Sequence, residues 1–193
     1  MPVLVWQLPE PRLAIASTAT GGGIGVRDWV LNAQVPSDYR CEDPAPDLEA
    51  IASAAGCDGP GVGFLTAADV RGWTRGDSGA VTVFATVGLR DPAWAAAAAP
   101  VTGAAPVAGT INVVAFLPER LSDAALVNTV ATITEAKVQA LLEGGVAGSG
   151  TPTDAVCVLT PPDGPAEPYG GPRSRLGSHL ARAAHAAVTA GLA

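Results

Sequence analysis

The sequence predicts an α/β (α+β) fold, in which helices pack on the faces of a mixed β-sheet. Its 193 residues suit a single domain that spans residues 1–193 and closes a substantial apolar core. Strand patterns outnumber helix patterns early in the chain, and helix patterns cover the second half. The composition is 48% hydrophobic but only 5% aromatic, which predicts a core of small side chains in close contact.

Most of the predicted strands lie in the first half of the chain. Two apolar runs within residues 3–18 are separated by Pro9 and Pro11, which indicates a hairpin or paired edge strands. A turn is expected at Gly21–Gly23, because no helix-opening G-x-G-x-x-G pattern follows. Further strands are predicted for VRDWVLNAQVP, GVGFLTAADV and AVTVFATVGL, and a short helix is predicted for Asp47–Gly56.

In the second half, DPAWAAAAAP is expected to form a short helix or loop, and GTINVVAFLP a strong strand. The clearest helix begins at Ser122, a good N-cap, and ends at Gly144–Gly145. The sequence DAVCVLTPP predicts a buried strand. A terminal helix over Arg175–Gly191 follows a loop at 161–173 that is rich in proline and glycine.

Charge and composition exclude several classes of partner. A net charge of -7 with eleven scattered basic residues argues against nucleic acid. The longest uncharged stretch, residues 92–118, contains prolines, glycines and many alanines, so no membrane span is expected there. MPVLVWQLPEPR predicts an edge strand rather than a signal peptide. Three cysteines without a C-x-x-C pair disfavour a disulfide framework and structural zinc, which fits a cytoplasmic protein.

One residue breaks the pattern of the helix that begins at Ser122. A 100° step places Lys137 in the middle of the apolar stripe, while Thr132 and Glu135 fall on the opposite, solvated face. Burying an unpaired ammonium is costly, so Lys137 indicates either a functional group or a structural ion pair. Both alternatives stay open from the sequence.

Polar residues recur at the ends of predicted strands. They are Thr66 and Asp69, Thr110 and Asn112, and Thr153 and Asp154. Strand ends are where a rigid scaffold presents binding groups, although Thr and Asp at such ends also cap turns. Their number favours a ligand site.

The familiar motifs of hydrolases and metal sites are missing. The chain has no G-x-S-x-G elbow, no Walker lysine loop and no H-E-x-x-H pattern. Its two histidines, His179 and His185, fall beside and opposite the packing stripe of the terminal helix and are expected to face solvent. No metal site is therefore expected.

Five segments, taken in order and at their spacings, resemble the adenosylcobinamide amidohydrolase family. They are GVGFLTAAD (61–69), ATVGLRDPA (85–93), GTINVVAFLPERLSDAALVNTVATITEAK (109–137), GTPTDAVCVL (150–159) and RLGSHLARAAHAAV (175–188). Before residue 60 the resemblance rests on Gly21–Gly23 and on LNAQVPSDY around Asn32. The sequence departs from the family near Arg173 and Ser174, where bacterial relatives often carry a His-Thr pair.

The resemblance implies cleavage of the amide that joins a corrin propionate to aminopropanol, giving adenosylcobyric acid for corrinoid salvage. The corrinoid is then a small-molecule substrate, because the chain lacks the D-x-H-x-x-G motif by which many cobalamin-dependent enzymes ligate a bound cobalamin. No cofactor and no metal are implied, and a homo-oligomer is compatible with the family.

Amide hydrolysis requires an attacking oxygen, donors for the developing oxyanion and a proton for the departing amine. In our hypothesis Asp154 or Glu135 activates water or the Thr153 hydroxyl, with Glu135 included because it lies in the matching TEAK segment. Lys137 stabilises negative charge or protonates the amine. The residues expected to bind substrate are Thr66, Asp69, Thr110, Asn112 and Asn32.

Three alternatives accompany this hypothesis. Gly109–Thr110 and Gly150–Thr151 resemble the self-cleavage junctions of other amidohydrolases, which would generate an N-terminal threonine nucleophile. A corrinoid-binding module would need no ionisable centre. A metabolic amidohydrolase would act on another small amide.

Overall fold

One mixed sheet contains all the strands of the computed structural model, which describes residues 1–90, 92–97 and 109–193. The elements in chain order are β1 (Val3–Ala16), β2 (Gly23–Gln34), α1 (Ala45–Ala54), β3 (Gly61–Thr66), a 3-10 turn (Val70–Gly72), β4 (Thr74–Ser78), β5 (Val81–Val87), β6 (Ile111–Phe116), α2 (Asp123–Glu143), β7 (Ala155–Thr160) and α3 (Arg175–Ala190). The strand order is β3-β2-β1-β7-β6-β5-β4. The β2–β3 and β6–β7 pairs are parallel and the others antiparallel, which confirms the predicted fold class.

The prediction for the N-terminal region was wrong in its pairing. The two apolar runs form one long strand, β1, which lies between β2 and β7 in the sheet and not at its edge. Pairing with β2 is interrupted between Gln7 and Arg12, where Pro9 and Pro11 provide no N–H group for the ladder. The prolines therefore produce an irregularity within a strand instead of a turn between two strands.

A further strand, β4, was not predicted. Its sequence TRGDS lacks the apolar alternation of a half-buried strand, because it lies at the edge of the sheet and exposes Arg75 and Asp77. Of the predicted helix or loop DPAWAAAAAP, residues 91 and 98–100 lie outside the described residues. Its described part makes a turn and a bridge from Ala93 to Gly150.

The sheet curls strongly on itself. The side-chain amide of Asn32 on β2 donates to the Thr86 hydroxyl on β5 at 2.9 Å, although β1, β7 and β6 separate these strands in the sheet. Such closure follows from accumulated strand twist. The inner face of the curl holds one apolar core, built from residues such as Val30, Phe64 and Val114. The curl thereby brings the two halves of the sheet face to face.

The helices pack on the outer face of the curl. Helices α2 and α3 cover a core shared with β5, β6 and β7, while α1 packs against β2 and β3. The predicted cap is present, because the Ser122 hydroxyl accepts a hydrogen bond from the Ala125 N–H at 3.2 Å. None of the helices in the described ranges combines the length and apolar character that a bilayer span requires. Residues 98–108 of the uncharged stretch lie outside those ranges.

Thr132 is a correction to the predicted solvated face of α2. It is 1% exposed, and its hydroxyl donates to the Gly170 carbonyl at 2.9 Å. The loop before α3 crosses this side of the helix, which helical periodicity alone does not reveal.

Close packing of α3 on β4 depends on a glycine. A Cβ on Gly76 would collide with the backbone carbonyl of Ala183, whereas a Cβ on Gly72 has open space around it. We therefore expect Gly76→Ala to lower the free energy of unfolding by about 1–3 kcal/mol, because α3 must move away from the sheet. Gly72→Ala, the matched control, should change it by less than about 1 kcal/mol. Urea titration measures both, and equal midpoints would contradict this packing.

Candidate active site

One cavity of about 430 Å³ lies where β6 and β7 begin. Strand β6 runs parallel to β7 and antiparallel to β5. The residues that precede β6 and β7 therefore meet the last residues of β5 at one edge of the sheet. Polar side chains from three strands of the sheet, or from just before them, line the cavity. They are Thr66, Thr110, Asn112 and Thr153. The remaining wall is formed by Ser17 and Thr18, which follow β1, by residues 39–41 and by apolar residues such as Leu48 and Phe64.

Two threonine hydroxyls meet at the cavity wall. Thr110 Oγ1 lies 2.7 Å from Thr153 Oγ1, and Thr153 Oγ1 lies 3.2 Å from the Gly109 carbonyl oxygen. Thr110 is buried and Thr153 is exposed. Each hydroxyl has one hydrogen and two lone pairs. While Thr153 donates to the Gly109 carbonyl, which only accepts, Thr110 donates to Thr153. When the Thr153 hydrogen turns from the longer bond to Thr110, the Thr110 hydrogen is free to donate to a bound molecule.

An ion pair lies behind the two hydroxyls. Lys137 on α2 contacts Asp154, the residue after Thr153, and their side chains are only 10% and 13% exposed. Lys137 is the only lysine in the chain. It forms the ion pair that was one of the two alternatives for a lysine on the apolar stripe. Neither residue lines the cavity.

The Asp154 carboxylate accepts four hydrogen bonds. Oδ1 accepts from the Ile111 N–H at 2.9 Å and from the Thr151 hydroxyl at 2.5 Å. Oδ2 accepts from the Thr151 N–H at 3.1 Å and from the Lys137 ammonium. A carboxylate has about four lone-pair positions, so all are occupied. Asp154 thus ties the start of β6 to the start of β7, and no position is free to accept a proton from water.

Gly150 completes the surroundings of the ion pair. A Cβ at this position would collide with both Asp154 Oδ2 and Lys137 Nζ. The glycine of the GTPTD segment is therefore explained by close packing against the charged pair.

Two asparagines join opposite sides of the curled sheet. Asn112 Nδ2 donates to Asn32 Oδ1 at 3.0 Å and to the Leu65 carbonyl at 3.1 Å. Asn32 Nδ2 in turn donates to the Thr86 hydroxyl. Asn32, Thr86 and Asn112 are each 2% exposed. A buried polar network with this many fixed partners holds its side chains in one arrangement.

Thr66 and Asp69 have different surroundings, although both follow the same apolar run. Thr66 lines the cavity, and its hydroxyl accepts from the Ala68 N–H at 3.0 Å. Asp69 is exposed, caps the 3-10 turn through the Arg71 N–H and forms an ion pair with the Arg71 guanidinium. The hydrogen bond from Arg71 lowers the pKa of the Asp69 carboxyl below its ordinary value. Asp69 therefore caps a turn and does not reach the cavity.

Glu135 also lies apart from the cavity. Its side chain is exposed on α2, where it borders a groove formed with Ala181 and His185 of α3. Lys137, two residues later, points to the opposite side of the helix and is buried. A 200° rotation over two residues separates them. The structure thus brings together Lys137, Asp154, Thr153, Thr110, Asn112, Asn32 and Thr66, and leaves out Glu135 and Asp69.

Sequence reasoning missed two threonines and one rim segment. Thr86 is the next-to-last residue of β5 and the partner of Asn32, so it carries the strand-end signal used for the other candidates. Thr151 lies four residues before β7 and donates to Asp154. Residues 39–41 line the cavity, and Tyr39 is the last residue of LNAQVPSDY, one of the matching segments.

The histidines, which were predicted to face solvent, are half-buried. His179 Nδ1 lies 2.9 Å from Ser78 Oγ, and His185 Nε2 lies 2.7 Å from Glu143 Oε2. Packing of α3 against β4 and α2 covers positions that a helical wheel places at the flank. Within the described part of the chain, no three His, Cys, Asp or Glu side chains are grouped so as to hold a metal ion.

The chain is similar to known proteins over nearly its whole length. The model of the adenosylcobinamide amidohydrolase family matches residues 1–193. The adenosylcobinamide amidohydrolase of Methanosarcina mazei is 31% identical over 185 residues, which cover 91% of this chain and 88% of the relative. The adenosylcobinamide amidohydrolase of Halobacterium salinarum is 35% identical over 197 residues, which cover 97% of this chain and 84% of the relative.

We expect Lys137→Met to lower the free energy of unfolding by about 3–5 kcal/mol, because the buried Asp154 carboxylate loses its counter-charge. Arg71→Met is the matched control, since it breaks an ion pair whose side chains are 76% and 49% exposed, and it should leave stability nearly unchanged. Denaturant titration measures both variants. A mild effect of Lys137→Met, similar to that of Arg71→Met, would show that the pair does not hold the site together.

The three cysteines should differ in reactivity. Burial raises the pKa of the Cys157 thiol to about 12 and also raises the pKa of Cys57, whereas Cys41 is exposed. A raised pKa keeps a thiol protonated, and the thiolate is the reactive form. In the native protein at about pH 8, iodoacetamide should therefore modify Cys41 alone, as read by peptide mass. Rapid labelling of Cys57 or Cys157 before unfolding would contradict this order.

Proposed function

This chain belongs to the adenosylcobinamide amidohydrolase family, and from that premise we propose that it releases aminopropanol from adenosylcobinamide to give adenosylcobyric acid. The family resemblance inferred from the sequence is confirmed, and the chain is a hydrolase that acts on an amide C–N bond. The reaction consumes one water and breaks the bond between the propionate carbonyl and the aminopropanol nitrogen. Its acid product would enter corrinoid salvage.

The observation that carries the proposal is the convergence of uncharged polar groups on one cavity. Thr66, Thr110, Asn112 and Thr153 line it, together with apolar residues. An amide is polar and neutral, and hydroxyl and carboxamide groups are suited to hydrogen-bond it. Among the described residues, Arg40 is the one charged residue that lines the cavity, so the rest of the wall suits a neutral group better than an anion. The charged rim residue, Arg40, lies at its outer edge and is exposed.

The size of the cavity indicates which part of the substrate enters it. About 430 Å³ is within the range of roughly 300–1,000 Å³ that suits a drug-sized ligand. A corrin with its side chains and adenosyl ligand is much larger than such a ligand. We therefore propose that the aminopropanol arm enters the cavity, while the corrin remains at its mouth beside Tyr39, Arg40 and Cys41.

Within the cavity we assign the reacting amide to the threonine pair. The Thr110 hydroxyl donates to the carbonyl oxygen, where negative charge develops. The exposed Thr153 hydroxyl lies on the attacking side of the carbonyl. These two residues contact the amide and are the catalytic residues of the proposal.

Lys137 and Asp154 act as positioning residues in this proposal. Asp154 binds the Ile111 N–H next to Thr110 and is itself next to Thr153, so it fixes the distance between the two hydroxyls. Its filled acceptor positions argue against the role of general base that the sequence suggested. Glu135 has no part in the proposal, because it lies on the exposed side of α2.

The direct test incubates the pure protein with adenosylcobinamide and identifies the products by mass. Adenosylcobyric acid and free aminopropanol are expected. An unchanged corrinoid would refute the proposed reaction, and tight binding without turnover would favour a corrinoid-binding module. The intact mass of the active protein should equal that of the full chain, whereas fragments starting at Thr110 or Thr151 would favour self-cleavage.

Substitutions of Thr153 test the threonine pair. Thr153→Val removes the hydroxyl at similar volume and should lower kcat at least about 100-fold, a loss typical of a group that acts on the transition state. Thr153→Ser keeps the hydroxyl and should retain most of the activity. Thr134→Val on the exposed side of α2 is the matched control and should behave as the wild type. A fully active Thr153→Val would remove this hydroxyl from the mechanism.

A further inference from the structure

The side chain of Asn112 carries a buried acceptor without a partner. Asn112 is 2% exposed and lines the cavity, and among the described residues nothing hydrogen-bonds its Oδ1. A buried carbonyl oxygen without a donor is costly, and native proteins seldom leave one unless it has a use. Two other buried side-chain atoms of the described residues have no hydrogen-bond partner, Thr20 Oγ1 and Arg120 Nε, and neither residue lines the cavity.

The hydrogen-bond network fixes which end of the Asn112 carboxamide is the acceptor. A backbone carbonyl only accepts, so the atom of Asn112 that faces the Leu65 carbonyl at 3.1 Å must be the NH₂ group. The second N–H of that group donates to Asn32 Oδ1, which in turn places the Asn32 NH₂ group against the Thr86 hydroxyl. Both Asn112 hydrogens are therefore committed. The residue is able to accept from a ligand but not to donate to an oxyanion.

The Cα separation of Thr110 and Asn112 is comparable to, and somewhat shorter than, the span of one amide group with its two hydrogen bonds. The two residues are two positions apart, and both line the cavity. The Cα atoms of residues two positions apart in a strand are about 6.6 Å from each other. In a trans amide the carbonyl oxygen and the N–H point in opposite directions, with oxygen and nitrogen roughly 2.2 Å apart. Adding two hydrogen bonds of about 2.9 Å gives a span of about 8 Å. One substrate amide thus fits between the Thr110 hydroxyl and Asn112 Oδ1.

We infer that Asn112 determines specificity by accepting the N–H of the scissile amide through Oδ1. The inference rests on the proposed function, whose cavity and reacting bond it uses. Asn32 and Thr86 are positioning residues, because they hold the Asn112 carboxamide in the orientation that presents its oxygen. The site then selects a secondary amide over an ester. An ester has an oxygen in place of the N–H group, and this oxygen and Asn112 Oδ1 would face each other with lone pairs only.

The test compares adenosylcobinamide with its ester isostere, in which oxygen replaces the amide nitrogen. For the wild type the KM of the ester should exceed that of the amide about tenfold or more, since the ester leaves Oδ1 unpaired. Asn112→Ala should bring this ratio to within about twofold of one, because neither substrate then meets an acceptor. The matched control, Asn128→Ala on the exposed face of α2, should keep the wild-type ratio.

Two results would overturn the inference. One is a wild-type ratio of ester KM to amide KM of one or less, and the other is a ratio in Asn112→Ala as large as in the wild type. If Asn112→Ala does not fold, Thr86→Val provides the second variant. It removes the acceptor of Asn32 and should reduce the ratio of the ester KM to the amide KM, so an unchanged ratio also counts against the inference. Failure of the wild type to hydrolyse adenosylcobinamide would instead refute the proposed function, and the ratio is then measured as a ratio of Kd values.

Discussion

The buried ion pair between Lys137 and Asp154 is the interaction on which the rest of the site depends. It joins the only lysine of the chain, on α2, to a carboxylate that also binds the backbone at Ile111 and Thr151. A buried pair of this kind contributes little net stability when compared with apolar residues, but removing one partner is costly. Its value here is positional, because it fixes the starts of β6 and β7 and thus the two threonines beside them.

The curl of the sheet supplies the second constraint. Asn32 and Leu65 lie on β2 and β3, which are distant in sheet order from β5 and β6. Both nevertheless share one hydrogen-bond network with Thr86 on β5 and Asn112 on β6. Small residues permit close packing elsewhere in the fold, since Gly76 lets α3 lie against β4 and Gly150 lets the ion pair lie against the backbone. The sparse aromatic content of the chain is thus consistent with a site that depends on close backbone approach.

The distribution of charge and hydrogen bonds is consistent with the proposed binding of a neutral amide. The charges of Lys137 and Asp154 lie behind the cavity wall, where the acceptor positions of Asp154 are filled, while Thr110, Thr153 and Asn112 present hydroxyl and carboxamide groups on the wall. One face of the proposed amide meets a donor at Thr110 and its other end meets an acceptor at Asn112. Family membership identifies the chemistry, and our proposal assigns its parts to residues.

The sequence by itself determined the fold class, the cap and length of α2, the anomaly of Lys137 and the strand-end residues, because these depend on local periodicity and capping. Only the tertiary structure decided which strand-end residues converge. Thr66 and Asp69 belong to one segment, yet one reaches the cavity and the other caps a turn. Glu135 and Thr132 were given one face of α2, but the loop before α3 covers Thr132 alone. Such outcomes depend on contacts between residues far apart in the chain, such as Asn32 with Thr86, which no local pattern encodes.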